Sequence, residues 1–177
     1  CIRDRDSTGG KGRMTAGDVQ WMKTGSGIIH SEMPAMKEGR LHGFQLWINM
    51  PAKYKMNKPE YIYIDSKKMS VHKDEDKKIK VIAGKFEKAE GPVKKHNVEP
   101  IYFDVELNKK KYFKFKLPKT HNSFIYLIEG EIKIGDKEHK QTKDSTLILL
   151  DKGEELKVLA TSSCLLYTSD AADDVHR

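Results

Sequence analysis

The sequence has little that could form a disulfide framework, a structural zinc site or a membrane span. Among its 177 residues there are two cysteines, Cys1 and Cys164. No apolar run approaches the roughly 20 residues that a transmembrane helix needs. The low cysteine count excludes a disulfide scaffold and a cysteine-ligated zinc site. We therefore expect a cytoplasmic protein with no membrane partner.

Arginine is also scarce, although the chain is basic. The formal net charge is +7, yet between residues 6 and 163 the only arginines are Arg13 and Arg40. Proteins that bind phosphates and base edges rely on bidentate arginine contacts. The lysines here are interleaved with acids, as in residues 73–78, which is typical of a solvated loop. We expect no nucleic-acid binding.

Short apolar or alternating segments between frequent turn signals indicate an all-β sandwich or barrel. Phe113, Phe115 and Leu117, for example, fall on one face of a strand, with lysines between them on the other face. No long segment has helical periodicity. The predicted strands are 43–49, 79–83, 101–107, 113–117, 124–128, 131–134, 146–150 and 156–159, and residues 127–136 are predicted to form a hairpin through Gly130.

His30 and Glu32 lie two residues apart in a segment, residues 25–34, that is patterned as a strand. Side chains at positions i and i+2 of a strand share one face, so both groups are predicted to point into the same cavity. Imidazoles plus one carboxylate, with open positions, suit non-haem iron or a similar divalent metal. His-x-Glu triplets are common, so on spacing alone an ordinary hydrogen-bonded pair near a turn remains the alternative.

The roles of several other polar residues stay open. Gln20 and Trp21 are expected either to pack in a barrel wall or to support the site, with a polar side chain bonded to a ligating histidine. His42 precedes a predicted strand, and we interpret it as a turn histidine rather than a third ligand. No ligand role is expected for the histidines in the remaining polar segments, which are His72, His96, His121 and His139.

Four blocks in a fixed order carry a resemblance to a known family. They are DSTGGKG at residues 6–12, TAGDVQWM at 15–22, GSGIIHSEMP at 25–34 and GFQLWINMPA at 43–52. Together they closely resemble the pirin family, over most of residues 6–163. The resemblance implies two tandem cupin jelly-roll barrels, the first of which holds iron through three histidines and one glutamate. It implies that His30 and Glu32 are metal ligands and that a His-x-His segment upstream of this sequence supplies the other two.

Both ends of the chain resemble translated sequencing-adapter sequence, and we leave residues 1–5 and 164–177 out of the fold prediction. The rest is predicted to divide into 6–66, the remainder of the metal-binding cupin, and 67–163, an incomplete, metal-free cupin. Both barrels are then truncated, and exposed sheet edges would favour aggregation. The full-length protein is expected to be a monomer.

The resemblance also implies a function. We expect Fe(II), with another divalent metal as the alternative, and a small aromatic substrate, as in an oxidoreductase of the quercetin 2,3-dioxygenase type that acts on flavonol-like compounds with O2. Glu32 is a candidate base for the substrate hydroxyl. The alternative is an iron-dependent interaction module that binds a transcription factor or a metabolic enzyme without turnover. Both functions would use the same ligands, so the residues do not choose between enzyme and module.

Overall fold

The computed structural model of the chain describes residues 1–7, 9–36, 38–94, 98–135 and 142–172, with side chains up to residue 169. The chain divides into two compact units, a first unit at Cys1–Met69 and a second unit at Ser70–Arg177. The boundary predicted from the sequence, after residue 66, lies three residues earlier, within a short 3-10 turn at Ser66–Lys68.

The described residues of the first unit form five short strands. They are β1 (Ile2–Asp6), β2 (Lys11–Met14), β3 (Val19–Lys23), β4 (His30–Pro34) and β5 (Glu60–Ile64), with a 3-10 turn at Ala52–Tyr54. Strand β1 is the middle of a three-stranded sheet with the order β2-β1-β4, and β3 pairs with β5 in a two-stranded ribbon. Both pairings of β1 and the β3–β5 pairing are antiparallel.

Residues 43–49 form no strand in the structure, so this part of the strand prediction is wrong. The whole stretch 41–50 is irregular, and Trp47 is 86% exposed while Phe44 is 43% exposed. Alternating apolar residues become a strand only when a neighbouring strand pairs with their backbone and covers one face. Among the residues that the structure describes, none supplies that pairing.

In its described residues the second unit contains eleven strands. They are β6 (Ser70–Lys73), β7 (Lys77–Ala83), β8 (Lys85–Phe86), β9 (Ala89–Glu90), β10 (Ile101–Leu107), β11 (Tyr112–Lys116), β12 (His121–Glu129), β13 (Ile132–Ile134), β14 (Thr146–Leu149), β15 (Glu155–Ala160) and β16 (Cys164–Ala172). Every predicted strand of this unit is present within a few residues of its predicted bounds. The described residues contain no α-helix, so the all-β prediction is confirmed.

Two sheets enclose the core of the second unit. A six-stranded sheet has the order β14-β12-β16-β10-β7-β6, and a three-stranded sheet has the order β11-β15-β13. The core combines side chains from both sheets, including Phe103, Ile125 and Leu166 from the first and Phe113 and Val158 from the second. All five are fully buried. This arrangement is a double-sheet β-sandwich of the jelly-roll kind.

Both terminal segments that we left out of the fold prediction form strands. Strand β16 lies between β12 and β10 and pairs with both. Its side chains alternate, with Leu166 fully buried and Thr168 only 7% exposed. An alternating segment in the middle of a sheet contributes core and backbone hydrogen bonds whatever its origin, so leaving these residues out of the fold was wrong. Their adapter origin stays a prediction.

Gly130 marks a crossing between sheets and not a hairpin, which corrects the prediction for residues 127–136. Strand β12 pairs with β14 and β16, whereas β13 pairs with β15 in the other sheet. Gly130 has a φ of +98°, and a Cβ there would lie 2.9 Å from the Cα of Cys164. Only glycine fits both the backbone angle and the close approach.

Candidate metal centre

The pairing of β1 with β4 gathers four polar side chains on one face of the three-stranded sheet. In this register Asp4 lies opposite Glu32, and Asp6 lies opposite His30. Directly opposed residues of an antiparallel pair point to the same face, and so do residues two apart on one strand. His30 and Glu32 therefore share a face, as their spacing predicts, and two aspartates from β1 join them there.

Three of these side chains converge on a small space. The Nδ1 atom of His30 lies 3.6 Å from Oδ1 of Asp4 and 3.7 Å from Oε1 of Glu32. The Asp4 side chain is 1% exposed, whereas those of His30 and Glu32 are 28% and 36% exposed. The cluster thus has one buried wall and one open side. It is the only group of at least three potential metal ligands within the described residues.

The donor atoms of this cluster fit a divalent cation. Asp4 Oδ1 and His30 Nδ1 are both buried, and neither makes a hydrogen bond. Their separation of 3.6 Å is too long for a hydrogen bond. It is close to the spacing of about 3.0–3.4 Å between neighbouring donors that each lie about 2.1 Å from a metal ion. A mixed set of one imidazole and carboxylate oxygens suits first-row divalent metals.

Asp4 is held in place by a short chain of hydrogen bonds. Nε2 of Gln20 donates to Oδ2 of Asp4 at 3.2 Å and to the hydroxyl of Tyr61 at 2.6 Å. Burial raises the pKa of Tyr61 above its usual range, and the charges of Asp4 and Asp6 raise it further, so the hydroxyl stays protonated. One oxygen of Asp4 is therefore anchored, and the other faces His30.

Gly12 makes room for this chain. It lies opposite Asp4 in the neighbouring strand β2. A Cβ at this position would lie 2.6 Å from the Tyr61 hydroxyl oxygen and 3.8 Å from Nε2 of Gln20. The absence of a side chain at Gly12 is thus a condition for the hydrogen bonds that anchor Asp4.

The other candidate residues of the first unit have different surroundings. Gln20 bonds the Asp4 carboxylate and the Tyr61 hydroxyl, not the ligating histidine that the supporting role predicts. Trp21 lies in β3 and is half-buried. The ring of His42 packs against Phe44 at a centroid distance of 5.3 Å, and His42 is not part of the three-residue cluster.

The histidines of the second unit show no comparable arrangement. His72 is paired with Asp74, with Nε2 and Oδ2 3.1 Å apart. His121 begins β12. His96 and His139 lie outside the described residues. The absence of a metal from the second cupin stays a prediction.

Asp4 and Tyr61 are the residues that the sequence did not identify. Asp4 belongs to residues 1–5, which the fold prediction excludes, although Arg3 to Asp6 alternate between basic and acidic side chains with the period of a strand. That alternation, paired with the His-x-Glu alternation of β4, is the signal that could have found Asp4. Tyr61 had no local signal, because its contact with Gln20 spans two strands.

Comparison with known proteins agrees with the fold and with the motif blocks. The family model for pirin matches residues 1–48, and the model for the pirin C-terminal cupin domain matches residues 102–170. The chain belongs to the pirin family. The predicted cupin architecture of this pirin is confirmed by the same matches and by the solved structures that it resembles.

One curated relative and two solved structures illustrate the match. A pirin-like protein of Caulobacter vibrioides is 34% identical over 163 residues, which are 91% of this chain and 58% of that protein. The crystal structure of GK1651 from Geobacillus kaustophilus superposes with a TM-score of 0.89 at 30% identity, covering 99% of this chain and 72% of that one. A quercetin 2,3-dioxygenase from Acinetobacter baumannii gives a TM-score of 0.83 at 26% identity, covering 97% and 61%.

This pirin therefore spans little more than half the length of the curated relative that it matches. None of the helices in the described residues has the length and apolar character to span a bilayer.

Proposed function

We propose that this pirin contributes His30 and Glu32 to the metal centre of a non-haem iron oxidoreductase that acts on flavonol-like aromatic compounds with O2. The observation that carries the proposal is the convergence of the two side chains on one sheet face, with His30 Nδ1 3.7 Å from Glu32 Oε1. The similarity to a structure described as a quercetin 2,3-dioxygenase supports the choice of substrate class.

The proposed metal is Fe(II), and another divalent first-row ion is the alternative for the same donors. When bound, such an ion supplies a Lewis acid for the substrate oxygens and electron-transfer chemistry with dioxygen. The pirin resemblance implies two further histidine ligands upstream, and no His-x-His segment occurs in this sequence. His30 and Glu32 are therefore two of the four ligands in the proposed centre.

The exposure of each side chain in the cluster indicates which residues can contact the substrate. His30 and Glu32 are partly open to solvent, so a small aromatic molecule can approach them from that side. Glu32 has two carboxylate oxygens, and we assign the second as the acceptor of the proton from the substrate hydroxyl. Asp4 lies on the buried side of the cluster.

A turnover assay on the full-length protein tests the proposal. The protein is purified with Fe(II), quercetin is added under air, and loss of the flavonol absorbance is followed. We expect turnover in the wild type and none above background in His30→Ala. His72→Ala is the matched control, because it removes a histidine that pairs with a carboxylate in the other unit.

The same assay separates enzyme from interaction module. Iron binding that depends on His30 and Glu32, without loss of quercetin or related flavonols, would contradict the dioxygenase proposal and favour a module without turnover. Iron binding that is unaffected by His30→Ala and by Glu32→Gln would contradict the metal centre itself.

A further inference from the structure

Asp4 is a second, buried carboxylate next to Glu32, and the proposed ligands His30 and Glu32 give it no role. Asp4 is 2% exposed and lies directly opposite Glu32 across the β1–β4 pair. Like charges that face each other across strands destabilise a sheet. Within the described part of the chain, the only basic group paired with Asp4 is the His30 imidazole. Two carboxylates thus share one imidazole, and the negative charge exceeds the positive charge.

A buried carboxylate is stable only when it is paired, hydrogen-bonded or bound to a metal ion. Oδ2 of Asp4 meets this condition through Gln20. Oδ1 does not, because it is buried without a hydrogen bond and faces a histidine nitrogen that is equally buried without one. A cation between these two atoms and Glu32 would satisfy all three groups at once.

We propose that Asp4 is itself a ligand of the metal ion, as a third donor beside His30 and Glu32. The inference rests on the proposed metal centre and extends it to a residue on a different strand. One imidazole and two carboxylates form a three-ligand site that leaves further positions open. A divalent cation would also balance the charges of the two carboxylates. The His30 imidazole alone does not balance them.

The surroundings of Asp4 are those of a positioned ligand. Gln20 fixes Oδ2, and Tyr61 fixes Gln20 through a 2.6 Å hydrogen bond. Partners of this kind, which orient a ligand without touching the metal, are the usual support of metal sites. Gly12 leaves the space that this support occupies.

Affinity for Ni(II) in the full-length protein, measured by calorimetry, tests the assignment. Asp4→Asn keeps the size and one oxygen of the side chain but removes its charge. We expect it to weaken Ni(II) binding at least 30-fold, as removal of a ligand does, while the metal-free protein unfolds at an equal or higher urea concentration because the like-charge contact with Glu32 is gone. Asp104→Asn is the matched control, since Asp104 is also a partly buried carboxylate with an unbonded Oδ1, in the second unit.

A spectroscopic variant separates a ligand from a residue that only orients His30. Asp4→Cys places a thiolate of similar size at the same position, and thiolates bind first-row metals directly. With Co(II), we expect a sulfur-to-cobalt charge-transfer band in the near ultraviolet, which neither the wild type nor Asp104→Cys shows. If Asp4→Asn fails to fold, the charge-transfer band of Asp4→Cys decides the assignment; if Asp4→Cys fails to fold, a loss of less than 30-fold in Asp4→Asn still overturns it.

The outcomes distinguish this inference from the proposed function. A loss of less than 30-fold in Asp4→Asn, or no charge-transfer band in folded Asp4→Cys, overturns the assignment of Asp4. If His30→Ala and Glu32→Gln still abolish Ni(II) binding in that case, the proposed centre stands without Asp4. If those two variants bind Ni(II) as the wild type does, the proposed centre itself fails.

Discussion

Asp18 shows how one carboxylate ties together two loops of the first unit. It accepts hydrogen bonds from the backbone N–H of Thr15 at 2.6 Å, from the backbone N–H of Ser66 at 2.9 Å and from the Tyr63 hydroxyl at 2.7 Å. Burial alone would raise the pKa of Asp18, but these bonds outweigh it and hold the pKa well below the ordinary 3.8. The same contact raises the pKa of Tyr63 to about 12.

The depressed pKa of Asp18 predicts a pH dependence of stability. A carboxyl group with a lower pKa in the folded state contributes stability above its unfolded pKa, and this contribution falls as the pH drops toward the folded pKa. We expect the urea midpoint of the first unit to fall more between about pH 6 and about pH 2 in the wild type than in Asp18→Asn. Asp151→Asn, which changes an exposed carboxylate of the second unit, should behave like the wild type. Equal pH dependence in Asp18→Asn and the wild type would contradict the account.

Gly12 gives a second prediction at the scale of a single residue. In Gly12→Ala the new methyl group overlaps the Tyr61 hydroxyl, so Tyr61 must move away from Gln20. Overpacking of this kind costs about 1–3 kcal/mol. We expect a loss of that size in the free energy of unfolding of the first unit, measured by urea denaturation, together with weaker metal binding. Gly43→Ala is the control, because a Cβ there meets no atom within 4 Å and should leave both unchanged.

At the scale of elements, β16 holds the second unit together. It is the shared neighbour of β12 and β10 in the six-stranded sheet. Without it the sheet would split, and the core that Leu166 completes would be open to water. Unpaired strand edges and exposed apolar surface also favour aggregation.

Truncation tests whether the second unit needs β16 to fold cooperatively. Removal of residues 164–177 is expected to abolish the cooperative urea transition of the second unit, followed by far-ultraviolet circular dichroism. Removal of residues 173–177 alone leaves β16 intact and should preserve the transition. A cooperative transition after the longer truncation would show that residues 164–172 are dispensable, as expected of a sequence that does not belong to the domain.

At the scale of the whole molecule, the two units differ in the spectroscopic signals by which their unfolding can be followed. Both tryptophans of the chain, Trp21 and Trp47, lie in the first unit, which also contains the candidate metal centre. The large buried core belongs to the second unit. Tryptophan fluorescence therefore follows unfolding of the first unit alone, while circular dichroism follows mostly the second.

This division predicts a selective effect of metal. A ligand that binds only the folded state stabilises it by about 2.7 kcal/mol when its free concentration is about 100 times its dissociation constant. At such a concentration of Ni(II), we expect the fluorescence transition to shift to higher urea and the circular dichroism transition to stay in place. In His30→Ala neither should move. A shift of the circular dichroism transition in that variant would reveal a second metal site in the chain.

The sequence by itself determined the features that depend on neighbouring residues along the chain. The period of two and the frequent turns established an all-β protein, and they located seven of the eleven strands described in the second unit. The spacing of His30 and Glu32 was enough to place them on one face, because alternation along a strand is a property of the backbone.

Only the tertiary structure decided which strands became neighbours. Residues 43–49 have the pattern of a strand, but within the described residues no strand pairs with their backbone. After Gly130 the chain crosses to the other sheet, where β13 pairs with β15. Asp4 lies opposite Glu32 because of the register between β1 and β4. Pairing and register are set by contacts between residues far apart in sequence and by the faces that those contacts bury. Local periodicity does not contain that information, and for this reason the third candidate ligand and its support by Gln20 and Tyr61 appeared only in the folded chain.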